Sequence, residues 1–228
     1  MRGDGEEKEG DQQSLHATDC RLTGTKLDLY KAFASDYATP RQPALVAPRA
    51  AQYLAIEGRG APGGAEFVAR LGCLYNVAFT IKMARKFAGR DYAVCKLEGL
   101  WWGRQRNGIS FLREPKEKWR WELLIRTPDF IGESDLAAAV DTLRQRGKPA
   151  EVANVRLRRL DEGRSVQMLH VGSYDDEPRS LKLMHEFAHS EGLQPHGVHH
   201  EIYLSDPRRV APARLRTILR MPVRAPSS

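Results

Sequence analysis

The sequence predicts an α+β fold made of two copies of a strand-helix-strand-strand (βαββ) module. Three observations lead there. From Ala51 the apolar pattern runs strand, helix, strand, strand, and from Ser165 it runs the same way again. Each copy's first strand runs into glycine, at Glu57-Gly58 and at Val171-Gly172. Each copy's last strand ends alike, as Leu-Ile-Arg-Thr-Pro over 124–128 and Ile-Leu-Arg-Met-Pro over 218–222. Modules of about 50–128 and 154–223 follow, inside one domain spanning 23–228. Helices cover only one face of each module's sheet. The bare faces are therefore expected to meet, with a ligand pocket at the seam between the two sheets.

The elements follow in chain order. Residues 1–22 are polar and acidic, too poor in apolar side chains to join a core, and are expected to form a disordered tail. Leu27 to Tyr37 carries a short helical pattern, ended by Pro40 and Pro43. Ala51 to Ile56 reads as a buried strand, followed by a Gly/Pro loop from Gly58 to Gly64. The longest helix signal runs from Ala65 to Phe87, with Phe67, Leu71, Leu74, Ala78 and Ile81 three and four apart, and Gly89 stops it. Strands are expected at Tyr92 to Leu97 and at Trp119 to Ile125, joined by a loop from Gly103 to Lys118. In the second of these, Trp119, Trp121, Leu123 and Ile125 alternate onto one face. Leu136 to Leu143 is a linking helix and Asn154 to Leu160 a strand. The second copy supplies strands at Ser165 to Val171, His200 to Leu204 and Thr217 to Arg220, around a helix from Pro178 to Glu191 closed by Gly192.

Composition removes several classes of function. The chain has 228 residues, 41% of them hydrophobic and 29% charged, enough apolar material for a core. No window holds 18 consecutive apolar residues, so no membrane partner is expected. Met1 to Gly10 lacks the apolar stretch of a secretory signal. Cys20, Cys73 and Cys95 form no CxxC pair, which favours reduced thiols and a cytoplasmic location. The net charge of +7 is uneven: residues 1–20 hold six acidic and two basic side chains, which leaves +11 on the rest. That positive charge is scattered and Arg-rich, without a basic block or a helix-turn-helix or zinc-knuckle spacing, so direct nucleic-acid binding is not expected.

Two constellations could carry chemistry. His185-Glu186-Phe187-Ala188-His189 matches HExxH, which on a helix sets two imidazoles one turn apart beside a carboxylate. Pro195 occupies the position where the extended zinc pattern needs a third histidine, and His196 falls one residue late. The same helix can simply bury Leu181, Met184, Phe187 and Ala188 and leave its histidines near solvent. A zinc peptidase is therefore the weakest reading, and no metal or other cofactor is expected.

The second constellation is aromatic and acidic. Glu98 precedes Trp101 and Trp102, Trp121 lies on the following strand, and Tyr75 sits beside the apolar stripe of the long helix. In the second module Glu201 and Tyr203 share a strand face. Flat aromatic walls bind planar or cationic ligands, and a partly desolvated carboxylate among them suits general-base work. Core filling by the tryptophans is the competing explanation. His170 ends a strand ahead of Tyr174-Asp175-Asp176, and His199-His200 adjoins Glu201. Each is a site candidate, although a satisfied strand-end histidine is commoner. No Walker loop, Rossmann fingerprint or GxSxG elbow occurs.

Several segments together resemble the GyrI-like small-molecule-binding family. They are Lys26-Leu27-Asp28-Leu29, Leu97-Glu98-Gly99-Leu100-Trp101-Trp102, Trp119-Arg120-Trp121, Pro128-Asp129-Phe130 and, most distinctively, His199-His200-Glu201-Ile202-Tyr203-Leu204-Ser205-Asp206-Pro207-Arg208-Arg209 with Ala211-Pro212. The resemblance spans about Lys26 to Val223 and implies a pair of βαββ modules around a central pocket. It also implies effector domains of drug-responsive regulators, gyrase-inhibitor proteins, or stand-alone hydrolases that open the cyclopropane ring of DNA-alkylating compounds. Glu201 matches the family's pocket carboxylate, and Tyr75 and Trp101 its aromatic lining.

The expected function is binding of planar hydrophobic or alkylating small molecules, with metal-independent hydrolysis of cyclopropanoid compounds for detoxification or self-resistance. Glu201 and Tyr75 are the expected catalytic pair. Trp101, Trp102, Trp121, Tyr203, Glu98, His170 and Tyr174 are expected to contact ligand. The alternative is a non-catalytic drug-sequestering or effector module. Ligand identity and oligomeric state are left open.

Overall fold

The computed structural model describes residues 26–106 and 109–226, so the expected tail lies outside the described residues. The strands are β1 (Ala44–Val46), β2 (Ala51–Arg59), β3 (Leu97–Trp102), β4 (Arg120–Arg126), β5 (Arg156–Leu160), β6 (Ser165–Val171), β7 (Gln194–Pro195), β8 (His199–Tyr203) and β9 (Arg216–Arg224). The α-helices are α1 (Leu29–Ala32), α2 (Ala65–Phe87), α3 (Glu133–Gln145) and α4 (Glu177–Ser190). The fold is α+β: one antiparallel sheet ordered β1-β6-β9-β8-β3-β4-β2-β5, with β7 added on β9.

In the first half β4 lies between β2 and β3, and in the second half β9 lies between β6 and β8. The halves join edge to edge where β3 pairs with β8, in register from Glu98 opposite Ile202 to Trp101 opposite His199. This corrects the expectation that two separate sheets meet through their bare faces. Those faces are one continuous surface, and other parts of the chain cover it. Tyr37, from the single-turn helix after α1, packs there on Ile202 and Ile218. Beside it runs a buried ionic network in which Arg126 reaches Asp36 at 3.0 Å and Arg220 reaches Glu162 at 2.7 Å.

Both long helices lie on the other face. α2 spans the expected residues, entering after Gly64 and ending where Gly89 takes a φ of +76° that a side chain resists. Its Cys73, Leu74, Val77, Ala78 and Ile81 bury against Leu54, Ile56, Trp121, Leu123 and Ile125. Its outer side is apolar too, with Val68, Phe79, Met83 and Phe87 exposed. α4 buries Leu181, Met184 and Ala188 against Val166, Met168, Leu219 and Met221. Burying each such leucine or methionine side chain contributes about 1.5–3 kcal/mol, enough for both helices to lie flat on the sheet.

One boundary moves in a way that matters. The strand expected at Tyr92 to Leu97 is instead Leu97–Trp102, while Tyr92 forms only an isolated bridge to Leu27. The segment Glu98 to Trp102 is thus strand rather than the end of one, and its side chains alternate between faces.

Candidate functional site

The junction of β3 and β8 lies at the middle of the sheet, between the strands that carry α2 and those that carry α4. Alternation along β3 and β8 aims Gly99, Trp101, His199, Glu201 and Tyr203 at the helix side. Glu201 is 8% exposed. The Tyr203 hydroxyl donates to Glu201 Oε2 at 2.7 Å, and Trp101 Nε1–H donates to that hydroxyl oxygen at 3.0 Å. His199 Nε2 lies 3.3 Å from Glu201 Oε1, and the Phe111 ring stacks on the imidazole with centroids 6.0 Å apart.

The first residue of α4 completes the cluster. Glu177 is buried, and one of its carboxyl oxygens lies within 4.8 Å of a carboxyl oxygen of Glu201. Burial, and then the charge of Glu201, push Glu177 far above the usual carboxylate range. Two buried carboxyls this close repel one another when both are charged. Tyr174 closes the near side, its ring edge-on to Tyr203 at 6.0 Å. Its hydroxyl is pushed up to about 12 by burial and by Glu201. Burial also raises Tyr203 strongly, with Glu201 adding to it. A buried acid–base pair walled by phenols is suited to moving a proton on and off a bound molecule.

Ligand atoms of Glu177, His199 and Glu201 fall within 4.8 Å of one another, a spacing that a divalent cation also accepts. The HExxH residues do not converge in this way. His185 is half-buried on α4, its basicity lowered by burial and by His199. Glu186 points to solvent, 3.8 Å from Lys182, and His189 is exposed.

Of the residues selected from the sequence, Glu201, Tyr203, Tyr174 and Trp101 come together here. Trp101 is only 2% exposed, so it backs the site from within rather than presenting a ring face to a ligand. Trp121 lies deeper still, fully buried beside Gly58, with its Nε1–H donating to the Gly60 carbonyl at 3.1 Å. Tyr75 stands off from Glu201 in hydrogen-bonding terms. It stacks on Phe79, and burial raises its hydroxyl, with Arg208 and Asp206 as its charged neighbours.

Three selections need correction. Glu98 and Trp102 point to the opposite face of β3. Glu98 is fully buried there, accepting from Tyr37 at 3.3 Å and lying 3.0 Å from His200. Trp102 packs with Tyr53, Leu100 and Leu124 under the Arg106 guanidinium. His170 is a structural residue that ties β6 to α4: its Nδ1 meets Ser180 Oγ at 2.9 Å and its Nε2 meets the Ser173 carbonyl at 3.0 Å. Sequence reasoning missed Glu177, because an acidic residue starting a helix ordinarily faces solvent. It left His199 as an unplaced candidate, although its alternation with Glu201 already put both on one face.

Comparison with known proteins agrees with this architecture. Residues 132–224 match the profile of the GyrI-like small molecule binding domain. An uncharacterized conserved protein from Listeria innocua is 35% identical, with a TM-score of 0.80 over 87% of this chain and 100% of its own. A protein from the same organism described as a hydrolase is 34% identical, with a TM-score of 0.80 over 88% of this chain and all of its own. The EcmrR C-terminal domain shares the fold at 12% identity, with a TM-score of 0.53 over 81% of this chain and 98% of its own. No curated protein sequence matches. On these grounds the chain belongs to the GyrI-like small-molecule-binding family.

Proposed function

We propose that the chain binds planar hydrophobic molecules beside the β3–β8 junction and hydrolyses cyclopropanoid alkylators among them, as a detoxifying or self-resistance activity. The observation that carries this reading is the buried Glu177–Glu201 carboxyl pair beside Tyr174 and Tyr203. Its support from comparison is the family's small-molecule binding and the description of a 34%-identical relative as a hydrolase.

The chemistry is an addition of water. In a spirocyclopropane fused to a dienone, water attacks the strained carbon: a C–O bond forms and a ring C–C bond breaks. The released electron pair travels through the dienone to its oxygen, which takes up a proton as the ring becomes aromatic. A carboxylate of the pair accepts the proton that water loses, and a carboxylic acid supplies the proton that the oxygen gains. No redox partner is needed, and the proton count closes within the pair. The largely covered Tyr203 ring beside Glu201 lowers the local polarity and strengthens the electrostatics there.

The non-catalytic reading uses the same site without an activated water. Incubating the protein with a cyclopropane-bearing alkylator and following the ring-opened product separates the two. Enzyme-dependent product supports hydrolysis, whereas tight binding without product supports sequestration.

A further inference from the structure

We infer that the outer face of α2 is a dimer interface, on which a second copy of this chain packs its own α2 antiparallel about a two-fold axis between Tyr75 and Asn76. The inference does not depend on the reaction proposed above. Val68, Phe79, Met83 and Phe87 are exposed, Phe79 by 52% and Phe87 by 81%. Val68, Gly72, Phe79 and Met83 follow one another at spacings of four and seven residues, which puts them on one face of the helix. Only 28% of the helix's most apolar 18-residue stretch is buried, whereas a helix inside a core is mostly covered. Single exposed apolar side chains are ordinary, but a continuous band of them marks a surface that another body covers.

Charge and size select a second copy in antiparallel orientation as that body. The first turn of α2 carries Glu66 and its last turn carries Arg85 and Lys86. Arg85 is held by Asp135, which leaves Lys86 as the exposed base. Antiparallel packing sets the acidic turn of each copy against the basic turn of the other and opposes the two helix dipoles, whereas parallel packing sets like charges together. The two-fold axis also pairs Gly72 with the partner's Phe79 and Val68 with the partner's Met83, so the bulky half of the face meets the small half. A Cβ on Gly72 would meet nothing within 4 Å, so no contact inside this chain requires a glycine there. Glycine weakens a helix relative to alanine, and the close approach of the partner's Phe79 ring accounts for it. An anionic lipid surface would match the basic end of the face but neither Glu66 nor Gly72. With 23 residues α2 is about 35 Å long. A contact built on this one face falls at the low end of specific interfaces, so the dimer is expected to dissociate in the micromolar range.

The test is sedimentation velocity of the full chain from about 1 to 200 μM, a range that brackets a micromolar dissociation constant. The wild type is expected to pass from monomer to dimer across it. Phe79→Glu and Met83→Glu are each expected to weaken the dimer about tenfold or more, with Tm unchanged because both side chains are exposed. Gly72→Leu separates close helix packing from mere apolar contact: it adds apolar surface where its own chain has room, yet is expected to weaken the dimer. Orientation is read with a short bis-maleimide in a Cys20→Ser background. Val68→Cys chains mixed with Met83→Cys chains are expected to cross-link, and neither kind alone. A monomer throughout the range, a dimer that Phe79→Glu leaves intact or Gly72→Leu tightens, or cross-linking among Val68→Cys chains alone would overturn the inference. So would a monomer that sediments with phosphatidylglycerol vesicles and loses this in Phe79→Glu, which would assign the face to a lipid surface.

Discussion

Gly99 and Glu201 sit directly opposite one another across the β3–β8 pair, so the residue that lacks a side chain faces the one that carries the buried carboxylate. The space above Gly99 is where the Trp101 and Tyr203 polar groups meet. Gly99→Ala forces a methyl group into that contact. Overpacking of this kind costs about 1–3 kcal/mol, and here it also separates the two hydrogen-bonding atoms. The expected outcome is a lower Tm together with a loss of turnover larger than the loss of fold stability accounts for. Thermal denaturation and initial rates on the same preparation measure both.

Glu177→Gln is expected to stabilise the fold and impair the chemistry. A buried acid whose folded pKa lies above its unfolded one costs stability increasingly as pH rises above the unfolded value near 4.5. Glutamine removes that cost. The variant should therefore be more stable than wild type at pH 8, by about 1 kcal/mol or more, and the gap should narrow toward pH 5. A variant less stable than wild type at both pH values would show that the pair is not under strain.

His200 and Glu162 set the pH dependence of stability on the opposite face of the sheet. Burial pulls His200 down, but the Glu162 carboxylate and the Glu98 hydrogen bond outweigh it and raise His200 to about 9. A raised histidine contributes stability in full below its unfolded value near 6.5 and loses it as pH rises through 9. Burial pushes Glu162 up, but His200 and Arg220 outweigh it and bring Glu162 down to about 2. A lowered carboxylate contributes above its unfolded value near 4.5 and loses that stability as pH falls toward 2. Both contributions are complete between about 4.5 and 6.5. Tm should fall from pH 6.5 to 9.5 by an amount equivalent to a few kcal/mol, and His200→Gln should flatten that slope.

Much of the fold was legible because local signals coincide. Ala65 to Phe87 is bounded by glycines and carries an unbroken apolar period, and its ends agree with the structure. The site was legible only in part. Trp101 and Trp102 are adjacent in sequence but, as neighbours on a strand, point to opposite faces, which a strand ending at Leu97 does not reveal. Glu98 went astray for the same reason. Glu177 had no local signal at all: its burial depends on β8 lying beneath the start of α4, a contact between residues far apart in sequence. The edge-to-edge joining of the halves was likewise hidden, because the cover over the bare face comes from Asp36, Tyr37 and Glu162, outside both modules as drawn or at the margin of one.

His189→Ala is expected to leave Tm and turnover unchanged, since His189 is exposed and Glu186 turns to solvent. Turnover is also expected to survive dialysis against a chelator, because the proposed mechanism places the proton transfers on carboxyls. Loss of activity on chelation, restored by a divalent cation, would move the chemistry onto Glu177, His199 and Glu201 as a metal site.

Glu201→Gln bears most directly on the reaction. The substitution keeps the side chain's shape and its ability to accept from Tyr203, but removes the base. Single-turnover assays with a cyclopropane-bearing alkylator should show ligand binding within about threefold of wild type and ring opening slower by roughly a hundredfold or more. Ring opening by Glu201→Gln at the wild-type rate would contradict the assignment of Glu201 as the base.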